Sequence, residues 1–286
     1  MKHFENKVAV ITGGASGLGE AMAYRFAQQG MKIVLADIEK LSLQKTVNDF
    51  KDKNYDVLGV PCDVSKSDEV DNLAKLTKDH FGNIHILCNN AGVSVTGRVW
   101  EHTPAEWEWA MGVNIWGVIN GIRSFVPSML EQNSEGHIIN TASVAGLLSL
   151  PQMSLYCLTK HSVVTLSESL YHDLKEIGAK VSCSVLCPAY VPTKISQSER
   201  NRPQHLRDSR LKTEENLIME QDLKYAVESG KLSAEDIAQL VFEATYNDQF
   251  YILSHPNIKK TIEKRMGDIL NNSQPTNTFK KRQHGA

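Results

Sequence analysis

The sequence predicts an α/β fold: one doubly wound, parallel, seven-stranded sheet with helices on both faces. Three observations lead there. Short apolar runs alternate with longer helix-period segments along the chain, the pattern of strands joined by helical crossovers. The centres of the apolar runs lack polar alternation, as expected where helices cover both faces of a sheet. The first run ends in a glycine-rich junction, Thr12-Gly13-Gly14-Ala15-Ser16-Gly17-Leu18-Gly19, that leads into a helical pattern.

In order, Val8-Ala9-Val10-Ile11 marks a first strand over 7–12, and a helix over 17–30 leaves the glycine junction. A second strand over 32–37 ends in Asp37 and is followed by a helix over 39–52. A third strand, 57–62, precedes a helix over 67–81, and a fourth, 84–89, precedes one long helix over 104–130. A fifth strand over 137–142 leads to a helix over 152–177, and a sixth over 180–187 follows. Ser233-Ala234-Glu235-Asp236 reads as an N-cap and an acidic first turn, opening a helix through Ala244. The seventh strand covers 250–253. Residues 1–270 read as a single domain, with no repeat or linker to divide it. The charged, weakly periodic segment 194–232 reads as a substrate lid, because so long a connection in a compact domain is usually functional. The polar segment 271–286 reads as a mobile tail whose Lys280-Lys281-Arg282 is a solvated end.

The 286 residues suffice for a full core, and 31 Lys+Arg against 33 Asp+Glu give a net charge of −2. That balance excludes a generally basic, nucleic-acid-coating surface. Five cysteines, at 62, 88, 157, 183 and 187, are too few and too irregular for a disulfide framework. Cys183 and Cys187 read as buried thiols, and no partner at zinc spacing implies a metal. The N-terminus runs straight into a strand-length apolar segment, leaving no secretory h-region, and no window reaches a membrane span. A cytoplasmic, reduced protein is expected.

Glycines let a backbone turn sharply and approach a pyrophosphate, and a helix N-terminus offers free N–H groups. The spacing Gly13-x3-Gly17-x-Gly19 differs from G-x-G-x-x-G, so its position between strand and helix carries the reading. Asp37 closes the second strand, where an acidic residue binds the adenosine ribose hydroxyls. Its carboxylate would repel a 2′-phosphate, and neither Ile38 nor Ser16 supplies a cation. NAD is the expected cofactor.

Tyr156 and Lys160 lie four apart on an expected helix and share a face. Ser143 follows the fifth strand, and Asn114 lies in the helix before it. Together with the glycine loop, Asp63-Val64 and Asn89-Asn90-Ala91-Gly92, these residues resemble, in order and spacing, the short-chain dehydrogenase/reductase family. The resemblance runs from residue 12 to about 193 and implies a Rossmann-type fold.

Oxidising an alcohol needs a base for its proton. A free tyrosine, with a pKa of about 10, is about one part in a thousand ionised at pH 7, and a three-unit drop needs about 4 kcal/mol. An ammonium at about 4 Å supplies a comparable amount at an effective dielectric near 20. Tyr156 is thus the expected general base in oxidation and acid in reduction, with Lys160 as electrostatic partner. Ser143 would hold the substrate oxygen. The resemblance implies that Asn114 positions a water linking Lys160 to solvent and that Lys160 also binds the nicotinamide ribose. It further implies cofactor contacts from Gly13, Ser16, Gly17, Leu18, Gly19, Asp37, Asp63, Val64, Asn90, Ala91 and Gly92, and from Pro188, Val191 and Thr193. Ala189 stands where the family has glycine, and a positive φ there would strain it.

Val93, Val95, Ser143, Ala145, Leu147, Leu148, Met153 and Tyr190 are the expected substrate neighbours. Mostly apolar, they favour a hydrophobic alcohol or ketone. Ile195-Ser196-x-Ser198-x2-Asn201-Arg202-Pro203 and Tyr251-x-Leu253-Ser254-His255 are loosely similar to Cα-dehydrogenases of lignin-derived aryl ethers, which implies a benzylic or other bulky secondary alcohol. The family usually forms homotetramers or homodimers through helices corresponding to 104–130 and 152–177. The four tryptophans, at 100, 107, 109 and 116, suit the core or a subunit contact. The leading expectation is an NAD-dependent oxidoreductase without nucleic-acid or membrane partners. Two alternatives stay open: an NADP-dependent carbonyl reductase and a non-catalytic dinucleotide-sensing protein.

Overall fold

The computed structural model describes residues 1–207 and 213–277. Among them, seven strands form one sheet: β1 (Val8–Thr12), β2 (Lys32–Asp37), β3 (Val57–Pro61), β4 (Ile86–Asn89), β5 (Gly136–Thr141), β6 (Val181–Cys187) and β7 (Tyr251–Leu253). All pairings are parallel, in the order β3-β2-β1-β4-β5-β6-β7. The helices are α1 (Gly17–Ala27), α2 (Lys40–Asp52), α3 (Ser67–Phe81), α4 (Pro104–Met111), α5 (Gly117–Glu131), α6 (Ser154–Glu176), α7 (Glu214–Glu228), α8 (Ala234–Asn247) and α9 (Ile258–Leu270). The chain therefore has the expected Rossmann-type architecture.

The two-residue period of the strands divides their apolar side chains between two core layers. Ala9, Ile11, Ile33 and Leu35 pack with Phe26, Phe50 and Ile237 from α1, α2 and α8. Val8, Val10, Val34 and Ala36 face the other way, onto Leu73, Phe125 and Leu174 from α3, α5 and α6. Burial on both faces explains why the strands read as continuous apolar runs. All five cysteines are free and buried.

Three elements differ from the sequence expectation. The single helix expected over 104–130 is interrupted by a π-helical turn at Gly112–Trp116, closed by Gly117 N–H donating to the Gly112 carbonyl. Glycine suits the exit from this turn, because a Cβ on Gly117 would meet Val64 Cγ2 at 2.7 Å. Second, α7 lies inside the segment expected to be an aperiodic lid. Its buried residues are Asn216 and Val227, while Leu217, Ile218 and Tyr225 are exposed, so no apolar stripe announces it. Third, α9 places Ile258 and Ile262 on Val144 and Leu148. The expected N-cap at Ser233 is present as a reciprocal box with Asp236. At the start of the expected tail, Ser273 and Thr276 donate main-chain N–H groups to Asp268. Lys280-Lys281-Arg282 lies outside the described residues, as do positions 208–212 of the expected lid. No helix among the described residues is long and apolar enough to cross a membrane.

Candidate active site

The strand order runs outward in both directions from β1 and β4, and loops leaving the carboxyl ends of such neighbours diverge to leave a crevice. A cavity of about 770 Å³ occupies this place. Gly13, Ser16, Gly17 and Leu18 line it from the β1–α1 junction, Asp37 from β2, and Asp63 and Val64 from the loop after β3. Asn90, Ala91 and Gly92 follow β4; Ser143 follows β5; Tyr156 and Lys160 come from α6; Pro188, Val191 and Thr193 follow β6.

Gly13 and Gly17 adopt left-handed φ values of 63° and 55°, which glycine alone takes without penalty. Gly19 is not on the wall. A Cβ there would come within 2.7 Å of Asn90 Nδ2 and closer still to the Gly13 carbonyl, so this glycine lets α1 seat directly beneath the loop. Thr12, to which no role was assigned from sequence, fastens the two loops together. Its hydroxyl accepts from the N–H groups of Asn90 (2.9 Å) and Ala91 (3.1 Å). Asn120 likewise holds the loop after β3, donating to the Val64 carbonyl at 2.9 Å. Strand-end Thr and helix-interior Asn are frequent enough that neither carried a sequence signal.

The Asp37 carboxylate, 9% exposed, accepts from Ala15 N–H (3.0 Å) and Glu39 N–H (2.9 Å). Burial holds its pKa above the ordinary carboxylate range, opposed by these bonds and by the charge of Arg200.

At the other end of the cleft, Ser143 accepts from Ala145 N–H at 3.1 Å, donates to the Pro188 carbonyl at 3.3 Å and shares the cavity wall with Tyr156. Burial pushes Tyr156 up to about 12, with the Ser143 contact opposing. Lys160 Nζ donates to the Thr141 carbonyl at 2.8 Å and lies 5.7 Å from the centre of the Tyr156 ring. Burial pushes Lys160 down to about 8. The depression of Tyr156 expected from an ammonium at contact distance is therefore not produced by these surroundings, because desolvation works against both charged forms. Asn114, in the π-helical turn, stands behind the wall. It accepts from Val93 N–H at 2.8 Å and donates to the Val93 carbonyl at 2.9 Å and to Thr159 Oγ1 at 3.0 Å.

Of the expected substrate neighbours, Val93, Ser143, Ala145, Met153 and Tyr190 line the cavity, joined by Leu150, Leu206, Leu223, Val227 and Ile258. Val95 instead packs with Trp109 and Leu155. Leu147 packs beside Val163 and Val185, and Leu148 lies against Val144 and Ile258; these three positions are corrected to core. Trp109 is buried and also lines the cavity. Ala189 is not among the residues with positive φ, so the strain anticipated there does not arise. The segment Lys194–Asn201 forms a 3₁₀ turn capped by Thr193. It is pinned by Ser94 N–H donating to Ser198 Oγ at 3.0 Å.

Comparison with known proteins places this geometry in context. A profile of the family described as short chain dehydrogenase matches residues 7–204. The chain is 35% identical over 278 residues to a CLA biosynthesis dehydrogenase/reductase of Lactiplantibacillus plantarum, covering 96% of this chain and 97% of that protein. It is 29% identical over 276 residues to a C alpha-dehydrogenase of Sphingobium sp., covering 96% of this chain and 89% of that one. A short chain dehydrogenase/reductase from Burkholderia phymatum, solved in complex with NAD, superposes with a TM-score of 0.97 at 48% identity, covering 98% of this chain and 100% of that one. The matched span contains every cleft residue from Gly13 to Thr193, and at these identities over nearly whole chains the protein belongs to the short-chain dehydrogenase/reductase family.

Proposed function

We propose that the chain is an NAD-dependent oxidoreductase interconverting a hydrophobic secondary alcohol, aryl and benzylic carbinols included, and its ketone, with Tyr156 as general acid/base. The observation that carries this reading is the convergence of Ser143, Tyr156 and Lys160 on one cavity, set where the glycine-lined cleft meets an apolar chamber.

The residues present fit a nicotinamide dinucleotide. The left-handed Gly13 and Gly17 and the close seat at Gly19 leave backbone where a pyrophosphate would approach. The Asp37 oxygens, each engaged by one main-chain N–H, keep lone pairs for ribose hydroxyls. The NAD complex of the Burkholderia protein supports NAD here, and similarity to the C alpha-dehydrogenase supports oxidation at carbon. When bound, the nicotinamide supplies the carbon that takes or returns hydride and, in its oxidised form, a positive charge.

Ser143 holds the substrate oxygen, and Tyr156 moves the proton. At about 12, Tyr156 begins as an acid, ready to protonate a ketone oxygen. Acting as a base near pH 7 needs stabilisation of its anion by about 5 × 1.36 ≈ 7 kcal/mol. The Lys160 ammonium, 5.7 Å from the centre of the Tyr156 ring, supplies part of that. The positive charge of the oxidised nicotinamide would supply more of that stabilisation when bound. Lys160, held by Thr141 and brought down to about 8, is suited to exchange its proton near neutrality. Asn114 positions the Gly92–Val93 wall beside it: a Cβ on Gly92 would lie 3.4 Å from both Asn114 Oδ1 and Lys160 Nζ. The chamber formed by Met153, Tyr190, Leu206 and Val227 favours a bulky apolar substituent on the carbinol carbon. Leu158, exposed on α6, supports assembly as a homodimer or homotetramer through that helix.

The test is NADH formation from NAD with benzylic, steroidal and aliphatic secondary alcohols, repeated with NADP and with the corresponding ketones in reverse. Turnover of an aryl carbinol with NAD is expected. Dinucleotide binding with no turnover in either direction would replace this reading with the sensor alternative.

A further inference from the structure

We propose that Glu39 and Arg200 jointly set the dinucleotide preference: Glu39 keeps in a neutral pair a lid cation that would otherwise receive a 2′-phosphate. The inference rests on the dinucleotide reading above and concerns a cation that the local sequence around Asp37 does not contain.

Arg200 lies 161 positions from Glu39 yet reaches across the mouth of the cleft. Its Nε and Nη2 donate to Glu39 Oε1 at 2.9 and 2.8 Å. Its Nη1 donates to the main-chain carbonyls of Lys194 and Gln197, both at 2.9 Å, which fixes the plane of the guanidinium. Asn201 Nδ2 adds a further bond to the same Glu39 oxygen at 2.9 Å, and Ser42 donates to Oε2 at 3.3 Å. Asp37, Ile38, Glu39, Arg200 and Asn201 all line the one cavity. Burial works to raise Glu39, but the bonds from Asn201 and Arg200 outweigh it and hold the carboxyl below its ordinary range. The charge of Arg200 is also felt at Asp37.

An acidic residue at the end of the second strand binds ribose hydroxyls, whereas a nearby arginine accommodates a 2′-phosphate. This chain contains both. Its arginine already gives its Nε and Nη2 edge to Glu39, so an incoming phosphate would meet two carboxylates and an occupied edge. Neutralising Glu39 would leave the guanidinium in place, still gripped by the Lys194 and Gln197 carbonyls, with its charge uncancelled and its Nε and Nη2 edge held only by a neutral amide oxygen that a phosphate can displace.

The experiment is direct titration of NAD+ and NADP+ into the unaltered protein, Glu39→Gln and Glu39→Gln/Arg200→Gln. It is repeated with 5′-AMP and adenosine 2′,5′-bisphosphate to isolate the adenosine end. Glu39→Gln is expected to tighten NADP+ about tenfold relative to NAD+, equivalent to ~1.4 kcal/mol, and the second substitution to erase the gain. An equal gain in the double variant would overturn the role of Arg200, since charge removal at Glu39 alone would explain it. No gain in a Glu39→Gln protein that still binds NAD+ would overturn the pairing argument as well. Binding of neither dinucleotide to the unaltered protein would instead bring down the cofactor reading itself.

Discussion

Replacing Asn114 by leucine keeps most of the side-chain volume in the π-helical turn and removes three hydrogen bonds at once. Asn114 is 1% exposed and Val93 5%, so water cannot readily take over the lost contacts. The Val93 N–H and carbonyl both lose the partner that Asn114 supplied at 2.8 and 2.9 Å. Each buried main-chain group left unpaired costs about 1–3 kcal/mol, which gives a loss of ~2–6 kcal/mol for the two. Thr159 adds little, because its hydroxyl still donates to the Tyr156 carbonyl at 2.8 Å. Measured by urea unfolding, the variant should show a lower midpoint at unchanged slope. Its kcat should fall too, since Val93 continues the wall that Lys160 faces. A stability loss below about 1 kcal/mol at constant slope would refute the claim that Asn114 holds this wall, because it lies under the range for even two cheap orphaned groups.

Tyr156→Phe should retain dinucleotide affinity in a titration while hydride transfer falls by about 10²–10⁴-fold; near-normal turnover would remove its acid/base assignment. Gly19→Ala should raise the dinucleotide Kd by at least about tenfold, ~1.4 kcal/mol, since α1 must retreat from Gly13 and Asn90; an unchanged Kd would show that this seat is not needed. Acid should destabilise the fold through two buried histidines, His85 and His137, whose burial pushes them down to about 4 and about 3. Below pH 6.5 the unfolded chain binds protons that the folded chain does not, so stability falls as pH falls. From pH 6.5 to 4.5 the term is about 2 kcal/mol per site, the unfolded imidazole being only half protonated at the start of that range. Equal urea midpoints at pH 7 and pH 4.5 would contradict it.

The sequence alone determined the sheet and the loops that surround the cleft. Both are local signals: continuous apolar runs mark strands buried on two faces, as with Val8-Ala9-Val10-Ile11 and Ile33-Val34-Leu35-Ala36. Glycines mark the place where the chain turns left-handed before α1. Tyr156 and Lys160 could be paired because one helical turn brings them to one face. What escaped the sequence needed distance or company. The π-helical turn at Asn114 depends on helices packing against the loop after β3. The helix α7 buries so little apolar surface that it leaves no periodic stripe. Leu147, Leu148 and Val95 are apolar whether they face substrate or core, and only tertiary packing assigned them to the core. The ionisation of Tyr156 and Lys160 was decided in the same way, since burial acts on each group through everything around it. Arg200 meeting Glu39 across 161 positions is the clearest case: a Coulombic partner is chosen by separation in space, and only the folded sheet brings the turn at Lys194–Asn201 to the end of β2.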